Sequence, residues 1–320
     1  MDNCKVSVII PLYNGSKYIT QTLDSVLAQT YSDYEIVIVD DASMDNSYEV
    51  VEQYIAEHRD VVFRLDKSPE NRGIAATRNR AIELSCGEYI ALLDQDDIAL
   101  PKRLELSADF LDKNPEFGAV GGGVRFIDEY GKERLDRTMM LWRNPLYIKA
   151  SLLFRNMFIN CEMMFRKEIV EKYNIKYYDN FYGVEDFAFW AEYSRYAKFG
   201  MLQELFLLHR LHDSNGSELY SGAYAKEREE CYAFIQRKSI MDRGICLNDW
   251  EYEIIHQEFC EYGKKMISVA ELKELRKVLI SIVCQAEKME LEEAKEIEIV
   301  CKQLFASRVR WLDTLFSDDL

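Results

Sequence analysis

The sequence predicts a doubly wound, mostly parallel α/β sheet followed by a helical C-terminal region. Three observations predict it. β-Branched runs alternate with stretches of helical spacing over roughly the first hundred residues, the pattern of strand–helix–strand units. Each of those runs ends in polar side chains, and sheets of this kind bind ligands at the carboxyl ends of their strands. Composition then shifts near Ser217: beyond it there is no proline, and glycine occurs only at 222, 244 and 263.

Taken in order, "KVSVIIPLYN" (5–14) is a β-branched run closed by Pro and Asn, a strand feeding a loop. "YITQTLDSVLAQ" repeats Ile19, Leu23, Val26 and Leu27 at helical intervals. "YEIVIVDDAS" (34–43) is apolar on both faces, as parallel strands are. A helix follows in "DNSYEVVEQYIAEH", with Asp45 or Ser47 as its expected cap. "VVFRLDKS" gives a third strand, "GIAATRNRAIELSCG" a helix ending at Gly87, and "EYIALLD" a fourth strand. "PEFGAVGGGVRFIDEYGKER" reads as a strand and hairpin, "CEMMFRKEIVEKY" and "YGVEDFAFWAEYSRYAKFG" as helices, and "MLQELFLLHRLH" as a late strand. The expected organisation is an α/β domain over 1–217 and an α-helical region over 218–320.

A chain of 320 residues suits one large α/β domain with an appendage. Its net charge of −16 disfavours a nucleic-acid binder, which needs a basic face to neutralise phosphates. No signal-peptide pattern follows Met1, and no apolar run approaches the roughly 18 residues of a spanning helix. The eight cysteines, at 4, 86, 161, 231, 246, 260, 284 and 301, show no CxxC and no regular spacing. They read as small core hydrophobes in a reducing compartment, and the expected location is cytoplasmic.

The chemistry centres on "EYIALLDQDDIALP" (88–101), where Asp94, Asp96 and Asp97 crowd the end of a strand. The first strand's exit, "PLYNGSKY", lacks GxGxxG, and no GxxxxGK[ST] occurs, so dinucleotide and P-loop sites are excluded. "GGG" at 121–123 has the wrong spacing for a phosphate cradle and reads as a tight strand feature. Asp94-Gln95-Asp96 is a DxD element suited to a hard cation, since Mg²⁺ and Mn²⁺ prefer oxygen ligands shared with substrate phosphates. The bland alternative is that Asp96 or Asp97 caps a helix in "ALPKRLELSADFL". One Asp satisfies a cap and three do not.

These motifs, "VSVIIPLYN", "SVLAQTY", "EIVIVDDAS", "NRGIAATRN", "GEYIALLDQDD", "FRKE", "GVEDFAFW" and "HRLHDSNGS", stand in the order and spacing of a known family. Over roughly 5–217 the chain resembles the family 2 inverting glycosyltransferases of the non-processive bacterial type, whose nucleotide-sugar-binding fold is called GT-A. The QxxRW signature and membrane spans of processive synthases are missing. The resemblance assigns Pro11 and Tyr13 to the wall of a base pocket, Asp41 to hydrogen bonding with uracil, and Arg78 to the nucleotide. Asp94 falls near the ribose and Asp96 on the metal. Residue chemistry agrees: Tyr13 offers an aromatic face, Asp41 an acceptor for an imide N–H, and Arg78 a permanent cation. An Asx turn before Ser43 is the competing role for Asp40 and Asp41.

Asp186 corresponds to the family's catalytic base. The competing role for Glu185 and Asp186 is as helix N-terminal acids; Glu185 is otherwise an acceptor or supporting contact. Trp190 is either an acceptor-stacking face or a core residue. In "HRLHDSNGS" the resemblance implies a loop over the donor. His212 is expected on the metal or diphosphate, Arg210 as a diphosphate or supporting contact, and His209 in the strand. His58 and His256 read as surface residues. Expected ligands are Mg²⁺ or Mn²⁺, a UDP-sugar, and a saccharide or lipid-linked glycan acceptor. The stripe Leu272, Leu275, Val278/Leu279, Ile282/Val283 forms a core or a homodimer face. The tail "SRVRWLDTLFSDDL" packs on the protein or docks peripherally on a membrane. Two other functions compete: a catalytically idle nucleotide-sugar-binding scaffold, and a sugar-phosphate nucleotidyltransferase, whose glycine-rich first loop "PLYNGSKY" is not.

Overall fold

The computed structural model of the chain describes residues 4–139, 144–212, 224–259 and 268–317. Two compact units form. The first comprises Met1–Trp142, Phe158–Asn180 and Tyr196–Leu219; the second comprises Arg143–Met157, Phe181–Arg195 and Tyr220–Leu320.

The first unit is built on a nine-stranded sheet. Strand β1 (Val6–Leu12) lies between β2 (Tyr34–Asp40) and β4 (Tyr89–Leu92), parallel to both, and β2 pairs in parallel with β3 (Val62–Lys67). The registers Leu12↔Asp40 and Ile9↔Leu92 align the carboxyl ends of these strands at one rim. Helices α1 (Ile19–Leu27), α2 (Ser47–Glu57) and α3 (Ile74–Leu84) make the crossovers. Val8, Ile10, Ile36, Ile38, Tyr89 and Ala91 are buried as the sequence patterning requires, each large side chain contributing about 1.5–3 kcal/mol.

Beyond β4 come β5 (Ile98–Ala99), α4 (Arg103–Lys113), β6 (Phe117–Ile127) and β7 (Glu133–Met139). Because α4 starts at Arg103 with no side-chain cap, neither Asp96 nor Asp97 caps it. The expected helix at "CEMMFRKEIVEKY" divides into a 3-10 turn (Asn160–Glu162), strand β8 (Met164–Arg166) and helix α6 (Lys167–Tyr173). All three β8 residues are buried, and the strand runs antiparallel between β4 and β6, which a lone helix could not do. Strand β9 (Lys198–Arg210) pairs in parallel with β6. The glycines at 121 and 122 lie inside β6: a Cβ would meet the Met163 sulfur and the Phe206 ring at 2.5 Å. They are packing glycines.

The second unit gathers α5 (Pro145–Ser151) and α7 (Glu185–Tyr193) with α8 (Ala225–Met241), α9 (Asp249–Phe259), α10 (Val269–Lys288) and α11 (Ala294–Ser317). Segments 143–157 and 181–195 thus fold with the helices after residue 220, because Tyr147, Ala150, Leu153 and Phe154 share one core with Ile240, Leu275 and Ile297. A capping box between Ser268 and Glu271 starts α10. Leu275, Val278, Leu279 and Ile282 are spent on this core, with Leu272 and Val283 packed against it. His256 is buried rather than on the surface, its Nδ1 3.4 Å from the Gln236 amide oxygen. His58 is half-buried and stacks on Tyr54. Side chains from residue 310 onward, which carry the proposed membrane-docking face, lie outside the described residues. Among the described residues, no helix is long and apolar enough to cross a membrane.

Candidate functional site

The rim at the carboxyl ends of β1, β2 and β4 is stitched by side chains from its own loops. Asn14, at φ 49°, accepts the Met44 N–H at 2.8 Å, while its own N–H and that of Gly15 are taken by the Ser43 and Ser47 hydroxyls. Gln95, the middle residue of the DxD element, clamps the exit of β1: its amide accepts the Tyr13 N–H at 2.8 Å and donates to the Tyr13 carbonyl at 3.0 Å. Pro11 is buried within β1, and Tyr13 is left exposed at the rim.

Asp40 and Asp41 divide the roles that the sequence left open. Asp40 accepts the Ser43 N–H at 3.1 Å and so makes the Asx-type turn. Asp41 reaches the other way, accepting the N–H groups of Arg72 at 2.9 Å and Gly73 at 2.8 Å. Burial raises its pKa in spite of these two donors. Four acceptor positions on a carboxylate leave it lone pairs beyond those two bonds.

Arg78 is buried on α3 and donates from Nη2 to Asp94 Oδ1 at 3.0 Å, its guanidinium lying 5.4 Å from the Tyr177 ring centroid. Across the loop, Asp96 Oδ2 stands 2.8 Å from His212 Nε2, and the His212 ring packs 5.1 Å from Tyr18. Burial pushes Asp96 up, against the His212 hydrogen bond, and the charges of Asp97 and Asp94 add to the rise. The two residues expected on a metal are therefore in contact.

Beneath them lies a cluster that sequence reasoning missed. Asp97 is fully buried and takes the Cys161 thiol at 2.8 Å, His209 Nδ1 at 3.0 Å and the Arg210 N–H at 2.9 Å. Burial alone would raise Asp97; His209, Cys161 and Arg210 overcome it and hold the acid below its ordinary value. Burial would lower His209, but Asp97 first, then Asp96 and Asp94, push it up to about 9. The contact ties the loop between β4 and β5 to β9, where the sequence placed His209. Its signal was the third acid of "DQDD" and the histidine at 209.

Arg210 is 1 % exposed, so it does not reach a diphosphate in this structure. Its Nε donates to the Asp96 carbonyl at 2.8 Å, Nη2 to Gln21 at 3.0 Å, and its plane lies 4.6 Å from the Tyr18 ring centroid. It supports the Asp96 loop. Residues 213–217, the rest of the expected donor loop, lie outside the described residues.

Asp186 belongs to the second unit, in the first turn of α7. Its Oδ1 accepts the Phe187 N–H at 2.7 Å and its Oδ2 the Asn156 amide at 2.8 Å, a partner with no sequence signal. Glu185 beside it is buried. Just before the helix, Asn180, Tyr182 and Gly183 have φ of 63°, 43° and 78°, a conformation that strains the bulky Tyr182 but suits asparagine and glycine. Trp190 is 0 % exposed, edge-on to Phe189 and Tyr193, so it is a core residue with no face for an acceptor.

Asp96 and His212 also fit a divalent ion chemically. A carboxylate oxygen and an imidazole nitrogen already in contact can occupy neighbouring positions of one coordination shell, and the acids around them supply negative charge. The deeper Asp97–Cys161–His209 group brings three ligand-type atoms together, but its acceptors are already taken by internal donors.

The family model of glycosyl transferase family 2 matches residues 7–173. The chain belongs to that family. An uncharacterized glycosyltransferase of Haemophilus influenzae is 29% identical over 255 residues, covering 75% of each chain. The first 349 residues of S. aureus TarS, solved in complex with UDP-GlcNAc, superpose with a TM-score of 0.61 at 17% identity, covering 95% of this chain and 92% of that one. The mannosyltransferase PcManGT of Pyrobaculum calidifontis, in complex with GDP-Man and Mn²⁺, gives 0.57 at 19% identity, covering 97% and 87%. The glycosyltransferase thus has the GT-A fold with a helical C-terminal region.

Proposed function

We propose that this glycosyltransferase transfers a sugar, with inversion, from a UDP-sugar to a glycan or lipid-linked acceptor, aided by Mg²⁺ or Mn²⁺. The observation that carries the reading is the contact of Asp96 with His212, set beside the Arg78–Asp94 pair at one rim. Neighbours of this fold hold UDP-GlcNAc or GDP-Man with Mn²⁺, which supports a nucleotide-sugar and a divalent ion. Pro11 and Tyr13 wall the base, and Asp41, steadied by the Arg72 and Gly73 amides, offers a further lone pair to an imide N–H. Asp94 faces the ribose, while Arg78 adds positive charge on the nucleotide side.

Asp96 and His212 would hold the ion, which when bound neutralises charge developing on the leaving diphosphate. Asp186 is the base. As the acceptor hydroxyl attacks the anomeric carbon, its proton passes to a carboxylate oxygen of Asp186, the new C–O bond forms, and the old C–O pair leaves with the diphosphate. The Phe187 and Asn156 N–H groups hold that carboxylate in place by donating to its two oxygens. No acid is required on the leaving side, in contrast to the carboxylate pair of inverting glycosidases.

Nucleotide-sugars screened by thermal shift with and without Mn²⁺ test the reading, because ligand binding adds RT ln(1+[L]/Kd) to the folded state. A donor should raise the melting temperature only with metal present, and only with Asp96 intact. Equal shifts in wild type and Asp96→Ala would remove the metal assignment. Release of sugar from the donor by the wild-type chain separates an enzyme from an idle scaffold.

A further inference from the structure

At the opposite rim of the first unit, where β1, β2 and β4 begin, two thiols meet. Cys4 precedes β1 and Cys86 precedes β4; the Val6↔Tyr89 register brings them side by side, Sγ to Sγ at 3.5 Å. Both are partly exposed, so a small oxidant can reach them.

The surroundings differentiate the two sulfurs. Glu35, 0 % exposed, is the hub: it accepts the Ser7 hydroxyl at 2.6 Å, the Cys86 N–H at 2.7 Å and Arg64 Nε at 2.5 Å. The same guanidinium extends Nη2 to within 3.7 Å of the Cys86 sulfur. Placed there, the guanidinium can steady negative charge developing on an attacking sulfur, which makes Cys86 the nucleophile. Burial first, then Cys86 and Glu35, push Cys4 up to about 12, so it stays a thiol and serves as the resolving partner. The three ligand-type groups lie close enough for a metal, but Glu35 is committed to Arg64, and the guanidinium occupies the side from which a cation would bind.

We propose that Cys4 and Cys86 form a reversible disulfide in response to a peroxide, a covalent staple between the starts of β1 and β4. The Cys86 sulfur attacks the peroxide, forming S–O as O–O breaks, and its proton joins the departing hydroxide as water. The Cys4 sulfur then displaces hydroxide from the sulfenic sulfur, its proton completing a water. Two electrons pass from the thiols to the peroxide. Closing the bond requires the sulfurs to approach by about 1.5 Å, within reach of side-chain rotation. The staple lies at the amino ends of the strands, away from the DxD rim, so it stabilises the sheet and leaves nucleotide binding alone. This inference is independent of the proposed function.

The test treats the reduced full chain with hydrogen peroxide, then digests it without reductant for mass spectrometry. The expected result is a Cys4 peptide joined to a Cys86 peptide, with a melting temperature higher by about 5 °C and restored by reductant. In Cys4→Ser no link forms and Cys86 stops at a dimedone-trappable sulfenic acid; in Arg64→Gln the peroxide reaction slows several-fold. Oxidation of Cys86 with Cys4 still alkylatable in the wild type would overturn the proposal, as would links to other cysteines. Stoichiometric zinc binding by the reduced chain, lost in both Cys4→Ser and Cys86→Ser, would reassign the cluster to a metal.

Discussion

His212 Nε2 lies 2.8 Å from Asp96 Oδ2, joining the chain just after β9 to the loop between β4 and β5. Two segments distant in sequence thus present one oxygen and one nitrogen at the same point. A divalent ion held by both atoms would take the place of the hydrogen bond between them. Asp96→Ala should therefore abolish Mn²⁺-dependent UDP binding measured by calorimetry. His212→Ala should weaken it by at least about tenfold, the scale on which groups around a metal act. The histidine effect should be larger with Mn²⁺ than with Mg²⁺, since imidazole suits the softer ion. Identical losses with both ions would place His212 on the diphosphate instead.

Asp186→Asn keeps an oxygen for the Phe187 N–H and a planar side chain against Asn156, so the fold should tolerate it. It removes the proposed base. Turnover should fall by about 10³ with UDP affinity within a factor of two of wild type, as general-base loss usually costs between 10² and 10⁴. A fall confined to KM would instead assign Asp186 to acceptor binding.

Gly122 has the Phe206 ring where its Cβ would be, 2.5 Å away across the β6–β9 pairing. Gly122→Ala must push that ring or the strand aside, and neighbouring β9 leads to His212. Urea denaturation should show a loss of about 1–3 kcal/mol, the usual cost of overpacking a core. An unchanged midpoint would mean that the ring swings clear.

Much of this was legible because period and punctuation are local signals. The four parallel strands could be drawn from β-branched runs, and Asp94, Asp96 and Arg78 from motif order, and all three of these residues stand at the rim. What the sequence hid depends on tertiary neighbours. Strand β8 is three residues long, too short for a period, and exists because β4 and β6 leave a slot between them. Arg210 and Trp190 carry chemistry that suits a ligand, yet both are buried, and a residue name does not reveal which atoms face solvent. The fold of 143–157 with helices a hundred residues later is likewise a matter of which apolar faces meet.

The Asp97–His209 pair gives the fold a pH window. His209 is raised from 6.5 to about 9, so its stabilisation is fully present below 6.5 and is lost as pH rises through about 9. Asp97 is lowered from 3.8, so its stabilisation is present above that value and is lost as pH falls through its depressed native pKa. Between those limits both partners are charged, and three donors converge on one buried acid. Melting temperature should accordingly decline from pH 7 to pH 10 in wild type, more steeply than in His209→Gln, which cannot lose a proton there. The glutamine variant should itself be less stable at pH 6 by about 3 kcal/mol, because it leaves Asp97 buried without its cation. Parallel pH profiles for the two proteins would show that His209 is neutral in the fold and that the cysteine and backbone donors alone hold Asp97.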